Sequence, residues 1–208
     1  MFLLENLIYR DILEIGSALF REGELTYIAG ESGSGKSTLL KHLNRMLTPD
    51  AGKIYFNGED IAGLDPVRLR RQACMLPQTP VIFEGDIPYN LTAGAVFSGK
   101  PYPNKEKILK ALDTVQLKVP LEASPATLSG GELQRLSLAR VLIADPEVFL
   151  LDEPSSSLDR ENEREVMARL TGYLKTNKKS AVIVTHSENI ASEFSDRILR
   201  LKGGRLNE

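Results

Sequence analysis

The chain has 208 residues, 42% of them hydrophobic, and a formal net charge of −2. That length and composition exclude a disordered chain and allow one sizeable domain with its own core, while the near-neutral charge gives no basic footprint for nucleic acid. The single cysteine, Cys74, excludes a disulfide framework or a cysteine-rich zinc site within this chain.

The N-terminal MFLLENLIYRD lacks a basic region and an adequate apolar stretch, so it does not read as a secretory signal. No apolar run is long enough to cross a bilayer. The expectation is a soluble intracellular polypeptide whose membrane helices, if it uses any, come from another chain.

In chain order, residues 2–8 and about 12–20 read as short strands. Glu24 to Ala29 reads as a strand, Lys36 to Met46 as a helix, Thr48 to Lys53 as a turn, and Ile54 to Phe56 as a strand. Ala73 to Leu76 is a strand closed by Pro77, and Cys74 within it reads as a buried structural thiol. Residues 79–127 change character. They hold prolines 80, 88, 101, 103, 120 and 125, a glycine-containing loop near 94–99, and one clear helix at Lys105–Val115. That helix puts Ile108, Leu109, Leu112 and Val115 on one face. A further helix opens at Ser129 and runs to about Ile143. Then come a strand at Glu147–Leu151, a helix near Asn162–Lys175, a strand at Ser180–Thr185 and a short helix at Ser187–Phe194. Two strands around Gly203-Gly204 end the pattern, with no appended regulatory domain expected. Alternating strands and helices predict an α/β fold with a largely parallel sheet.

Three motifs carry chemistry. The first is Gly30-Glu31-Ser32-Gly33-Ser34-Gly35-Lys36-Ser37-Thr38, between a strand and a helix. Its glycines let backbone N–H groups point at phosphate oxygens, and the following helix presents its positive end to the same anion. Lys36 reaches the β- and γ-phosphates, and the Ser37 hydroxyl is placed to ligate Mg²⁺. The second is the apolar run Val148 to Leu151 ending in Asp152 and Glu153. A buried strand delivers both carboxylates to the carboxyl edge of the sheet, where ligands bind in such folds. Neighbours on a strand point opposite ways, so the two take different jobs. Read alone, they would be a solvated acidic turn before Pro154. The third is Leu128-Ser129-Gly130-Gly131-Glu132-Leu133-Gln134-Arg135. Ser129, Gly130 and Gly131 open a helix, a second anion-binding arrangement, and also fit a capping box with Glu132.

A P-loop, then LSGG, then an apolar run ending in Asp-Glu resembles the ATP-binding cassette (ABC) ATPases, over nearly the whole chain. The resemblance implies a P-loop NTPase core with a small antiparallel part and an inserted helical subdomain. Residues 1–208 would form one cassette, with 1–78 and 146–208 as the ATP-binding core and 79–145 as the helical subdomain carrying the signature. It implies ATP and Mg²⁺ as ligands. Asp152 would support Mg²⁺ through water, and Glu153 would polarise the attacking water. Gln78, after the strand Ala73–Leu76, matches the glutamine that senses Mg²⁺ and the water and links core to subdomain. His186, ending the run Ala181 to Thr185, matches the histidine that contacts the γ-phosphate, whereas His42 matches no motif and reads as structural. Two such cassettes dimerise head to tail, each Ser129–Gly131 segment completing the other's P-loop, and Asp159 matches the loop crossing that interface. Tyr9 fits the aromatic that stacks on adenine, with a core or surface tyrosine as the alternative.

The same resemblance bears on the kind of cassette. About ninety residues separate P-loop and signature, too few for the coiled-coil insertion of the break-repair type. The excision-repair type needs zinc cysteines, and the translation-factor type has two cassettes per chain. The segment Thr79 to Leu91 resembles that of exporter-type cassettes, where it helps form the groove for a membrane subunit. Ile82 and Phe83 suit either such a surface or ordinary packing. The expectation is the ATPase subunit of an exporter, peripheral on the cytoplasmic face of the membrane, paired with a spanning permease, a metal ion being one candidate cargo. A soluble ABC ATPase of a cytosolic complex, such as the iron–sulfur assembly type, is the other reading.

Overall fold

A computed structural model describes residues 1–207. Two sheets are present. The smaller is antiparallel, in the order β2-β1-β4-β5, built from β1 (Phe2–Tyr9), β2 (Leu13–Phe20), β4 (Ala51–Phe56) and β5 (Glu59–Asp60). The larger has the order β10-β9-β3-β8-β7-β6. Its strands are β3 (Leu25–Ala29), β6 (Ala73–Leu76), β7 (Val148–Asp152), β8 (Ser180–Val184), β9 (Arg197–Lys202) and β10 (Arg205–Asn207). Its pairs are parallel except the final β9–β10 hairpin.

Strands β3, β7 and β8 are buried at every position, so their two faces serve two cores. Ile28, Val148, Leu150, Val182 and Val184 face the small sheet and α1 (Lys36–Leu43), where Leu39, Leu40 and Leu43 meet them. Tyr27, Phe149, Leu151, Ala181 and Ile183 face the other way. There they meet the helices α3 (Ile87–Phe97), α4 (Lys105–Thr114), α5 (Gly130–Ala144) and α6 (Arg160–Thr176). Each fully buried side chain of this size contributes about 1.5–3 kcal/mol. The remaining α-helices among the described residues are α2 (Pro66–Gln72) and α7 (Glu188–Phe194).

Between β6 and β7 the described residues form helices and loops but no strand. This stretch departs from the sequence reading. Residues 94–99 are not all loop, because α3 runs through Gly94 to Phe97. Its start carries an N-terminal signature that was legible: Asp86 caps it by accepting from Tyr89 N at 2.7 Å, with Pro88 in the first turn. Asp65 and Pro66 likewise start α2, a helix the pattern did not give. In α4, Leu109 is exposed, unlike its supposed neighbours Ile108 and Leu112. Helix α1 ends at Leu43 rather than Met46, since Arg45 is left-handed and Met46 N turns back onto Lys41 O at 2.8 Å. Cys74 is half-buried, and burial pushes its thiol up to about 11, so it stays a protonated packing group.

One irregularity in β1 matters for function. Between Glu5 and Ile8 the register against β4 slips by one residue, and Asn6 there has φ 49°. A bulge of this kind reverses which side chains face inward. Ahead of it Phe2 and Leu4 face the core; after it Leu7 and Tyr9 do. Gly52 lies opposite, and a Cβ there would sit 2.2 Å from Asn6 O, so only glycine lets β4 pass the bulge.

Candidate active site at the carboxyl edge of the sheet

Strand register assembles the site. Ile28 pairs with Val184, Val184 with Asp152, and Leu151 with Leu76. The segments leaving β3, β8, β7 and β6 therefore emerge at one level of one edge. They carry the P-loop, His186, Glu153 and Gln78.

The P-loop bends back over α1. Lys36, only 6% exposed, lays its ammonium on the loop's own carbonyls, donating to Gly30 O at 2.7 Å and Glu31 O at 2.8 Å. Two glycines are required by close approach. At Gly30 (φ 156°) a Cβ would lie 2.3 Å from Leu201 O, and at Gly35 (φ 101°) 2.8 Å from Leu13 Cδ2. Ser32 and Gly33 are exposed at the loop tip, and Thr38 lies in the first turn of α1, its carbonyl 2.8 Å from His42 Nδ1. The Ser34 hydroxyl is buried in the loop without a partner. An orphaned hydroxyl inside a glycine-rich loop fits a phosphate oxygen.

Strand parity puts Asp152 on the α1 side, where its Oδ1 accepts from Ser37 Oγ at 2.9 Å. Burial raises the pKa of this carboxyl, partly offset by the Ser37 bond. A buried carboxylate with its charge poorly compensated, beside a serine hydroxyl and next to a phosphate cradle, is the oxygen donor set that Mg²⁺ uses with nucleotide phosphates. Among the described residues no cluster of three or more His, Cys, Asp or Glu side chains is present.

Glu153 does not differ from Asp152 through strand alternation, as the sequence suggested. The strand ends at Asp152, and Glu153 takes a left-handed backbone, φ 49°. That conformation costs about 1–2 kcal/mol in a non-glycine residue. Its N–H still completes the ladder to Val184 O at 3.0 Å. The turn throws the carboxylate across the edge, where Oε2 lies 3.3 Å from Gln78 Nε2 and 3.2 Å from His186 Nδ1. Gln78 and His186 are exposed, so this trio opens outward.

Ser129, Gly130 and Gly131 stand at the start of α5, away from this trio. The capping box is complete: Glu132 Oε2 accepts from Ser129 N at 2.8 Å and from Ser129 Oγ at 2.7 Å. Asp159 caps α6, accepting from Asn162 N at 3.1 Å and Asn162 Nδ2 at 2.6 Å.

Tyr9 packs inward. The β1 bulge turns its ring inward, leaving it 9% exposed, edge-on to His42 at 4.6 Å between centroids, with the Arg10 guanidinium 5.1 Å over the ring. The alternative weighed for it, a core tyrosine, is what the fold contains. His42 is buried beneath it and packs as a structural residue, its pKa lowered by burial.

Three residues that sequence reasoning passed over organise the neighbourhood. Gln134, inside the third motif, bonds to the backbone of Glu153. Arg140 donates to Asn90 O at 2.6 Å and Val81 O at 2.6 Å, and covers the Phe83 ring at 4.7 Å. Asn90, fully buried, clasps Phe83 through both its N–H and its carbonyl at 2.9 Å. Polar residues on largely apolar helix faces were the available signal.

Comparison with known proteins agrees with this geometry. Residues 14–156 match the family described as "ABC transporter". The chain is 38% identical over 187 residues to Protein STAR1 of Oryza sativa subsp. japonica, covering 89% of this chain but only 54% of that protein. It is 37% identical over 196 residues to the lipoprotein-releasing system ATP-binding protein LolD 1 of Chlorobium luteolum, covering 89% of this chain and 83% of the relative. Its fold superposes on the dimeric, post-hydrolysis cassette MJ0796 bound to ADP and Pi, with TM-score 0.89 and 28% identity, over 100% of this chain and 97% of the other. Cassettes of this kind bind and hydrolyse ATP, dimerise, and work with membrane subunits in transporters. The chain belongs to the ATP-binding cassettes of the ABC transporter family.

Proposed function

We propose that this chain is the ATP-hydrolysing subunit of a transporter, working as a head-to-tail pair beneath a separate membrane-spanning subunit. The observation that carries this reading is the convergence of Lys36, the Ser37–Asp152 pair and the Glu153–Gln78–His186 trio on one sheet edge.

In this reading the P-loop N–H groups and the Ser34 hydroxyl take the phosphates. Lys36 moves from the loop carbonyls to the β- and γ-phosphate oxygens. Ser37 and Asp152 would hold Mg²⁺, which would supply neutralisation of phosphate charge there. Glu153 accepts a hydrogen bond from the attacking water and draws off its proton, while Gln78 and His186 fix the carboxylate and the γ-phosphate. The partner's Ser129–Gly131 helix start covers the outer face of the nucleotide and stabilises transition-state charge. For that, the Ser129 hydroxyl turns from Glu132 toward phosphate, which the capping-box backbone bond permits. Asp159 lies in the loop facing the partner.

The helical stretch is the docking side. Val81, Tyr89, Val96, Phe97 and Tyr102 are each 47–62% exposed and gather along α3 and its flanking loops. Ile82 packs into the core, and Phe83 lies half-buried under Arg140 against Tyr89 and Phe97, so the open surface is made by their neighbours. An apolar cluster of this kind suits a helix of a membrane subunit. Among the described residues no helix is long and apolar enough to cross a membrane. The exporter-like stretch Thr79 to Leu91 favours an export role, with a metal ion as the first cargo to assay.

The test joins chemistry to partner. Glu153→Gln should bind ATP normally, lose at least about 100-fold in turnover, and accumulate as an ATP-bound dimer. The native chain should co-purify from detergent-solubilised membranes with a multi-span protein in stoichiometric amount. Normal turnover in Glu153→Gln removes that residue as base; soluble partners alone move the assignment to a cytosolic ABC ATPase.

A further inference from the structure

We propose that Gln134 is a positioning residue for hydrolysis: it clamps the backbone of Glu153 and the following loop to the helix whose N-terminus faces the partner's nucleotide. The proposal rests on the dimer reading and on Glu153 as base.

Gln134 lies one turn inside α5 and is 1% exposed. Its Nε2 donates to Glu153 O at 2.6 Å and to Ser156 Oγ at 3.3 Å. Its Oε1 accepts from Ser157 N at 3.1 Å and from Ser157 Oγ. A primary amide has two N–H groups and two carbonyl lone pairs, so every valence is used. The partners also fix which way the amide faces. Turned over, it would set its oxygen against the Glu153 carbonyl and its N–H groups against the Ser157 N–H. A second contact joins the same parts: a Cβ at Gly131 would lie 3.2 Å from Ser157 O and 3.4 Å from Leu158 Cδ2, so the helix start rests directly on this loop.

The clamp falls where Glu153 needs it. Its left-handed backbone is intrinsically unfavourable, and its carbonyl is held by Gln134 and by Ser156 N at 3.3 Å. The direction of the carboxylate toward Gln78 and His186 follows from that backbone. One chain thus carries a short rigid link from Ser129, which meets the partner's nucleotide, to Glu153, which acts on its own. Seating a phosphate at one site sets the base at the other, and the hydrogen bonds of that link all belong to one side chain. Displacement of a reacting group by about 1 Å is enough to cost on the order of 100-fold in rate.

Tandem fusions of two cassettes separate this role from general damage. In the first fusion, one cassette carries Gln134→Leu and its partner Glu153→Gln, so the only competent base shares a chain with the altered clamp. In the second, one cassette carries both substitutions and its partner is native, so the altered helix faces the only competent base across the interface. The control pairs a native cassette with Glu153→Gln. Expected is a fall of about 10–100-fold in kcat for the first fusion with KM for ATP unchanged, and a rate within about threefold of control for the second. Equal rates in all three, equal losses in both variants, or a loss confined to the second would each overturn the proposal. Should the Leu form fold poorly, Gln134→Glu replaces it. Its rate relative to control should rise as pH falls, because the protonated carboxyl regains a donor for Glu153 O; a flat ratio would also overturn the clamp. A fusion with Glu153→Gln in both cassettes that still turns over ATP at the native rate would instead unseat Glu153 as base.

Discussion

The two regions that flank the nucleotide edge are held by different forces. The P-loop, Asp152, Glu153 and His186 hang from strands whose every residue is buried, so their spacing follows from sheet register. The segment from Gln78 to Asp86 has no helix or strand and few buried side chains. It is fixed instead by Arg140 and Asn90, two polar residues reaching its carbonyls and N–H groups from the helices. Burial is spread over many contacts and fails gradually, whereas a polar clasp depends on a few directional bonds. Lys36, Asp152, Glu153 and His186 thus sit on the side fixed by burial, and Gln78 on the side fixed by the polar clasp.

Tyr9→Ala tests the rigid side most severely. It should cost about 3 kcal/mol in chemical denaturation through the cavity left under β1, while the folded fraction binds ATP as tightly as before. A loss of nucleotide affinity at unchanged stability would restore Tyr9 as a base platform and undo the argument from the bulge. Arg140→Met keeps bulk and removes the clasp. It should cost about 2 kcal/mol and raise hydrogen exchange selectively at residues 79–86, with β7 and β8 amides still protected. Uniform loss of protection would mean that the two regions are not separable.

Asp152→Asn sharpens the contrast in the opposite direction. The folded-state pKa of Asp152 is raised, so above it the ionised group works against folding, and that penalty fades as pH falls through the raised value. The amide should stabilise the nucleotide-free protein by about 1 kcal/mol at neutral pH, with a gain that shrinks in acid, while Mg²⁺-dependent hydrolysis collapses. A Tm at or below the native one at pH 7 counts against it. Ser129→Ala should show the smallest stability change, about 1 kcal/mol or less, because it removes one cap at an exposed helix start. Its larger consequence should appear in turnover by the pair.

Most of the rigid side was legible in the sequence. Gly30 to Thr38 and the run into Asp152 announce themselves because phosphate cradles and buried parallel strands need particular residues at fixed spacing. Even there the inward turn of Tyr9 was not legible, since one extra residue at Asn6 reverses inward and outward and nothing local in LENLIY marks the slip. The clasped side was less legible. Pro88 and Gly94 looked like breakers, yet one fits the first turn of α3, and at the other an added Cβ would meet nothing nearer than Ala144 Cβ at 3.5 Å. Gln134 was visible as a letter in a motif, but its value lies in partners twenty residues away in sequence, which no periodicity reports.

The left-handed backbone at Glu153 has a consequence for anyone improving this protein in the laboratory. A library screened only for heat resistance would enrich Asn or Gly at position 153, where both relieve backbone strain, and a neutral residue at 152 for the reason above. The winners would be robust cassettes that no longer turn over ATP. Any such screen therefore needs turnover as a second gate from its first round.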